Sequence, residues 1–81
     1  MEKKNNYRWI AEEIDISDIL PRLPKHVLEC IRNIEKADLD NNMPAFYQLC
    51  DNLEIYTKLL IPDIITVKEW DMICEKYCLI D

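Results

Sequence analysis

The residues best suited to bind a metal are the single histidine and the four cysteines. His26 and Cys30 stand four residues apart in one predicted helix, and Cys74 and Cys78 stand four apart in another. Side chains with this spacing share a helix face, so the two pairs can meet where the helices pack. Three thiolates and one imidazole are ligands that zinc accepts, although structural zinc sites favour closely spaced cysteine pairs in loops.

Packing is the simpler interpretation of the same residues, because unpaired cysteines often behave as small buried hydrophobes. Cys50 and Cys74 fall within predicted apolar stripes, Cys30 and Cys78 flank theirs, and His26 lies in a first helical turn. We therefore predict no metal, cofactor or catalytic residue. A zinc-stapled domain that uses His26, Cys30, Cys74 and Cys78 remains an alternative.

His26 and Cys30 also suggest a nucleophilic dyad. A nucleophilic thiolate needs a lowered pKa and a cleft that holds the substrate. The sequence shows neither an orienting partner for the dyad nor a loop long enough to form a lid. Together with the single histidine, this predicts a protein that is not an enzyme.

The amino-acid composition limits which folds the chain can adopt. The chain has 81 residues, of which 49% are hydrophobic, and it contains no glycine. Phosphate-binding loops and dinucleotide-binding turns need glycine, and tight hairpin turns favour it. We therefore expect one domain over residues 1–81, all-α, with no phosphate-binding loop.

Apolar residues at helical spacing predict a bundle of three long helices and a shorter N-terminal helix. The short helix is predicted over residues 5–14. The following connection, residues 15–23, carries four apolar residues that we expect to cover one end of the core. The first long helix is predicted to start at Pro24 and to end in the turn-forming run 38–42.

The second long helix is predicted from Met43 to a point before Pro62. The last helix is predicted to begin with a capping box formed by Thr66 and Glu69. The Thr66 hydroxyl accepts the backbone N–H of Glu69, and the Glu69 side chain accepts the backbone N–H of Thr66. The apolar faces together define the predicted core: Val27, Ile31, Ile34, Phe46, Leu49, Leu53, Leu60, Trp70, Ile73 and Tyr77.

Residues 53–80 resemble the helical hairpin of bacterial short C-terminal domains. The similarity lies in a helix ending in Leu59-Leu60-Ile61, followed by the run Ile65 to Trp70 and then Lys76-Tyr77. Asp63 stands where that family has a turn glycine, and Trp70 stands in place of its phenylalanine. The whole chain also resembles small helical proteins of bacterial mobile elements. The hairpin resemblance implies a role in oligomerisation or protein contact, with no catalytic residue.

The formal charge of −6 argues against direct binding to nucleic acid, which needs clustered Lys and Arg. Residues 1–40 carry 7 basic and 9 acidic side chains, and residues 41–81 carry 3 and 7. Neither a signal peptide nor a membrane span is apparent. We therefore expect a cytoplasmic protein with reduced thiols and no membrane partner.

Tyr7, Trp9, Tyr47 and Ile55 lie outside most of the predicted core stripes. Either they form a contact surface, or the N-terminal helix covers that side of the second long helix. The sequence thus favours a protein-interaction or oligomerisation module, for which a homodimer is one form. The alternatives are a small DNA-associated regulator, for which no basic recognition helix is evident, and an acidic mimic acting on a nucleic-acid-binding protein.

Overall fold

The computed structural model of the chain describes residues 9–77. Within this range the structure is all helical and contains no strand. A 3-10 turn at Leu20–Arg22 precedes helices α1 (Lys25–Leu39), α2 (Met43–Lys58) and α3 (Val67–Tyr77). Both α1 and α3 pack against α2. Over the described range, none of the helices combines the length and apolar character needed to cross a bilayer.

The core confirms most of the predicted apolar faces. Seven of the ten predicted core residues are buried, whereas Leu49, Leu60 and Trp70 are half-buried and pack against the others. The connection before α1 contributes Ile16, Ile19 and Leu23 to the core, as expected from its apolar residues. The remaining buried apolar side chains are Ile10, Cys30, Ala37, Cys50, Ile65 and Cys74.

The predicted N-terminal helix over residues 5–14 is wrong for its described part. Residues 9–14 form bends and turns, and residues 5–8 lie outside the described range. Tertiary partners satisfy backbone groups here in place of helical hydrogen bonds. The Ala11 N–H donates to the Lys76 carbonyl at 2.8 Å, and the Lys76 ammonium donates to the carbonyls of Ala11 and Ile14 at 3.2 and 2.7 Å. Forming the first turn of a short helix is unfavourable, so these tertiary hydrogen bonds stabilise the segment more than helical hydrogen bonds would.

A buried carboxylate holds the start of this segment. Asp38, on the last turn of α1, has no exposed surface, and its Oδ1 accepts the backbone N–H of Trp9 at 3.0 Å. The Trp9 ring packs against Phe46 with ring centroids 5.1 Å apart. Asp38 therefore joins the N-terminal segment to the end of α1, next to the beginning of α2.

The turn between α1 and α2 reverses the chain without glycine. Asn41 has a φ of 58°, in the left-handed region that asparagine tolerates better than most residues. The N–H of Asn42 donates to the Ala37 carbonyl, and the N–H of Asn41 donates to the Asp38 carbonyl. This is the Schellman arrangement of a helix end, with asparagine in the position that glycine usually fills.

Thr57 connects α2 to α3 inside the core. Its hydroxyl donates to the Leu53 carbonyl at 2.7 Å and accepts the indole N–H of Trp70 at 3.0 Å. Thr57 itself is fully buried. The chain from Trp70 to Thr57 to Leu53 satisfies polar groups that would otherwise be costly to bury, and it sets the position of α3 along α2.

The N-terminus of α3 confirms the predicted capping box. The Thr66 hydroxyl accepts the Glu69 N–H, and Glu69 Oε1 accepts the Thr66 N–H, each at 3.0 Å. Arg22 binds the same carboxylate through both guanidinium nitrogens and also donates to the Ile64 carbonyl. These contacts lower the pKa of Glu69 from 4.5 to about 2. The hydrogen bonds from Arg22 have the larger effect, and the hydrogen bond from the Thr66 N–H has the next largest.

Asp38→Ala is expected to lower the free energy of unfolding by about 1–3 kcal/mol, because it removes the buried acceptor of the Trp9 N–H. Asp40→Ala is the matched control two residues further on. It removes only an exposed ion pair with Lys36 and is expected to change the free energy by less than about 1 kcal/mol. Urea unfolding followed by circular dichroism measures both. Equal losses in the two variants would contradict the anchoring role of Asp38.

Glu69→Gln is expected to flatten the acid dependence of stability. The pKa of Glu69 is lower in the folded chain than in the unfolded one, so the ionised carboxylate stabilises the fold above its ordinary pKa of 4.5. That stabilisation is lost as the pH falls toward about 2. Urea unfolding across this range should show wild type and variant converging at low pH. Glu75→Gln is the matched control, because it removes an exposed carboxyl group of α3 without changing Arg22, Thr66 or Glu69.

Candidate protein-contact surface

The two faces of α2 differ in what covers them. Phe46, Cys50, Leu53 and Thr57 are buried against the other helices. On the opposite face three large apolar side chains stand in solvent: Tyr47 is 57% exposed, Ile55 59% and Leu59 77%. Spacings of eight and four residues align them along one side of the helix. We call Tyr47, Ile55 and Leu59 the outer stripe.

The residues around the outer stripe are polar but carry little positive charge. Asp51 stands between Tyr47 and Ile55 at four-residue spacing, Gln48 and Asn52 lie on one side of this row, and Glu54 and Lys58 lie on the other. Lys58 is the one cation among them. Apolar and aromatic side chains with a single cation have the composition of a protein contact rather than of a phosphate-binding surface.

The described N-terminal residues do not cover the outer stripe. Trp9 packs near the beginning of α2, against the inner residue Phe46, and leaves Tyr47 and Ile55 exposed. The alternative in which an N-terminal helix covers this side of α2 therefore does not hold for residues 9–14. Tyr7, the fourth apolar residue singled out in the sequence, lies outside the described residues.

Other exposed apolar residues stand apart from the outer stripe. Leu39 is 70% exposed at the end of α1, and Val67 is 59% exposed at the start of α3. Tyr56 is turned toward α1, where its ring meets the edge of His26 with centroids 5.1 Å apart. Single exposed apolar residues are ordinary on protein surfaces, so the aligned residues of α2 carry more information.

Three of the four cysteines lie in the core. Cys30 and Cys50 donate to the carbonyls of Leu49 and Tyr77 at 3.4 and 3.3 Å. Burial raises the pKa of the Cys30 thiol, and burial together with Glu54 and Asp71 raises the pKa of Cys74 to about 11. Both thiols are therefore protonated at neutral pH, the opposite of what a nucleophilic dyad at His26 and Cys30 requires.

The four metal candidates are not all within the described range. His26 is exposed beside Tyr56, Cys30 and Cys74 are buried, and Cys78 lies outside residues 9–77. In those residues, no three His, Cys, Asp or Glu side chains are placed so that they could hold a metal ion. A zinc site built on His26, Cys30, Cys74 and Cys78 stays an untested alternative to the prediction of no metal.

Comparison of the chain with protein-family models, with curated proteins and with solved structures gives no significant match. The resemblance of residues 53–80 to the short C-terminal domain hairpin stays a prediction.

Sequence reasoning singled out Tyr47 and Ile55 but not Leu59. A signal for Leu59 was present, since it follows Ile55 by four residues on the same helix face. Helical spacing from Leu53 places Thr57 on the buried face of α2, but no local signal marks its bond with Trp70 or the structural roles of Asp38 and Lys76. The partners in these bonds are 13 to 65 residues apart along the chain, so only the folded structure brings them together.

Thiol labelling tests the position of the cysteines. In a Cys78→Ser variant only Cys30, Cys50 and Cys74 remain to react. We expect labelling at about pH 8 to be more than about a hundredfold slower in the native protein than in urea, because burial limits access and raises thiol pKa values. A thiol that reacts rapidly in the native protein would contradict this placement and revive the nucleophile hypothesis.

Proposed function

We propose that this protein is a non-enzymatic, helical protein-interaction module and that the outer stripe of α2 is its contact surface. One observation carries the proposal: Tyr47, Ile55 and Leu59, the residue that caps the C-terminus of α2, are each more than half exposed on one side of this helix. The opposite face of the same helix is occupied by the core. Apolar anchors at one-turn and two-turn spacing are the pattern by which helices bind other proteins.

The charges support a protein partner over a nucleic acid. Lys58 is the single described cation beside the outer stripe, and the carboxyl groups of Asp51 and Glu54 are near it on the same helix. Binding to nucleic acid depends on neutralising several phosphates, which one lysine does not achieve. A tyrosine with isoleucine and leucine, by contrast, supplies buried contact area at little cost in side-chain entropy.

Site-specific photo-crosslinking tests the contact surface even though the partner is unidentified. A benzophenone amino acid replaces Ile55 in cells that express the chain. Matched controls carry it at Arg32 and Asp71, which are exposed on the outer sides of α1 and α3. We expect a discrete protein adduct from position 55 and none from positions 32 and 71. No adduct, or equal adducts at all three positions, would contradict the proposal.

A second variant separates binding from folding. Leu59→Glu places a charge on the outer stripe one turn from the crosslinker, and it is expected to abolish most of the adduct at position 55. Because Leu59 is 77% exposed, the change should leave the thermal unfolding midpoint nearly unaltered. A lowered midpoint in parallel with the lost adduct would attribute the loss to unfolding and would contradict a surface role for Leu59.

A further inference from the structure

The N-terminal segment and the last described turn of α3 are hydrogen-bonded to each other in both directions. The Ala11 N–H donates to the Lys76 carbonyl, and the Lys76 ammonium donates to the carbonyls of Ala11 and Ile14. The same ammonium lies 5.9 Å from the ring centroid of Tyr77. We call residues 74–77 the α3 end. Lys76 therefore fastens the N-terminal segment to the α3 end.

The start of α3 is held by a different set of hydrogen bonds. Thr66 and Glu69 form the capping box, and Arg22 binds the Glu69 carboxylate. The indole N–H of Trp70 donates to the Thr57 hydroxyl on α2. None of these groups belongs to the N-terminal segment or to the α3 end. Separation of the α3 end therefore leaves the bonds at the start of the helix intact.

The thiols show which contacts depend on the α3 end. Cys50 on α2 donates to the carbonyl of Tyr77, and Cys74 is itself part of the α3 end. Cys30 on α1 instead donates to the Leu49 carbonyl on α2. Helix α2 also packs more extensively against α1 than against α3. Loss of the α3 end would thus uncover Cys50 and Cys74, which we call the latch thiols, and would leave the contact of Cys30 in place.

We propose that the N-terminal segment and the α3 end form a latch that opens as one unit while α1, α2 and the start of α3 stay folded, and that Lys76 holds it closed. Proteins open locally in such cooperative units, at free energies below that of global unfolding. Each half of the latch supplies hydrogen-bond partners to the other, so the opening of one half destabilises the other. The open state exposes the latch thiols, which are buried in the closed state.

The closed latch is the dominant state, because opening also breaks contacts of the N-terminal segment with the core. It separates the Trp9 N–H from Asp38 and exposes Ile10, which is buried when the latch is closed. A rarely populated open state still sets the rate at which a reagent reaches a buried group. The labelling rate of the latch thiols therefore measures the opening of the latch, and the rate of Cys30 measures the opening of the α1–α2 pair.

Residue-resolved thiol labelling, followed by mass spectrometry of peptides, tests the role of Lys76. Lys76→Met keeps the apolar stem of the side chain and removes the ammonium. Lys68→Met, an exposed change near the start of α3, is the matched control. Both variants carry Cys78→Ser. Lys76→Met is expected to label the latch thiols about tenfold faster or more, and Cys30 within about threefold of its original rate, because bonds from a charged donor are lost locally. Lys68→Met should leave all three rates unchanged.

Two outcomes of the labelling overturn the proposal. Equal acceleration of all three thiols in Lys76→Met would show that Lys76 stabilises the whole fold and not a local unit. Unchanged rates of the latch thiols would show that Lys76 does not hold the latch. Circular dichroism of each variant measures whether the helices are retained.

Native-state hydrogen exchange of the wild-type chain tests the single unit without any variant. The amide of Ala11 and the amides of the α3 end are expected to share one opening equilibrium constant and one weak dependence on urea. The core amides of α2 should open less often and with a steeper dependence on urea, because their opening exposes more surface. Different constants for the two halves of the latch, or one constant shared with α2, would overturn the proposal.

Discussion

The burial of one face of α2 between α1 and α3 is the interaction on which the rest of the structure depends. Leu53 and Thr57, at its centre, have no exposed surface, and both flanking helices contact α2. Within residues 9–77, no further helix packs on the opposite face of α2, where Tyr47 and Ile55 are exposed. The exposed apolar stripe is thus a consequence of using α2 as the central helix.

Polar side chains hold the non-helical segments of this glycine-free chain against its helices. Asp38 accepts a hydrogen bond from the Trp9 N–H, and Lys76 donates hydrogen bonds to two carbonyls of the N-terminal segment. Arg22, in the connection before α1, donates to Glu69 at the start of α3. Each contact satisfies backbone or charged groups at the end of an element, where helical hydrogen bonds are missing. The non-helical segments are therefore held against the helices by specific bonds as well as by apolar burial.

The helices and most of the core were predictable because their signals are local. Pro24 and Thr66 mark helix starts, and the spacing of Val27, Ile31 and Ile34 marks a buried face. The N-terminal segment was mispredicted because its spacing suits a helix while its hydrogen-bond partners lie in α1 and α3. Within the candidate site, Tyr47 and Ile55 were identified as ambiguous. Their exposure depends on where Trp9 packs, which no local pattern encodes.

Residue types and their order along the chain are enough to predict an all-α fold, the three long helices, the capping box before α3 and the apolar surroundings of Cys50 and Cys74. These properties follow from short-range sterics, hydrogen bonding and periodicity within one helix. The docking of residues 9–14, the buried roles of Asp38 and Thr57, and the free outer face of α2 follow from folding alone. They depend on contacts between residues that are far apart in the chain. These contacts form, and contribute to stability, only when the helices pack together.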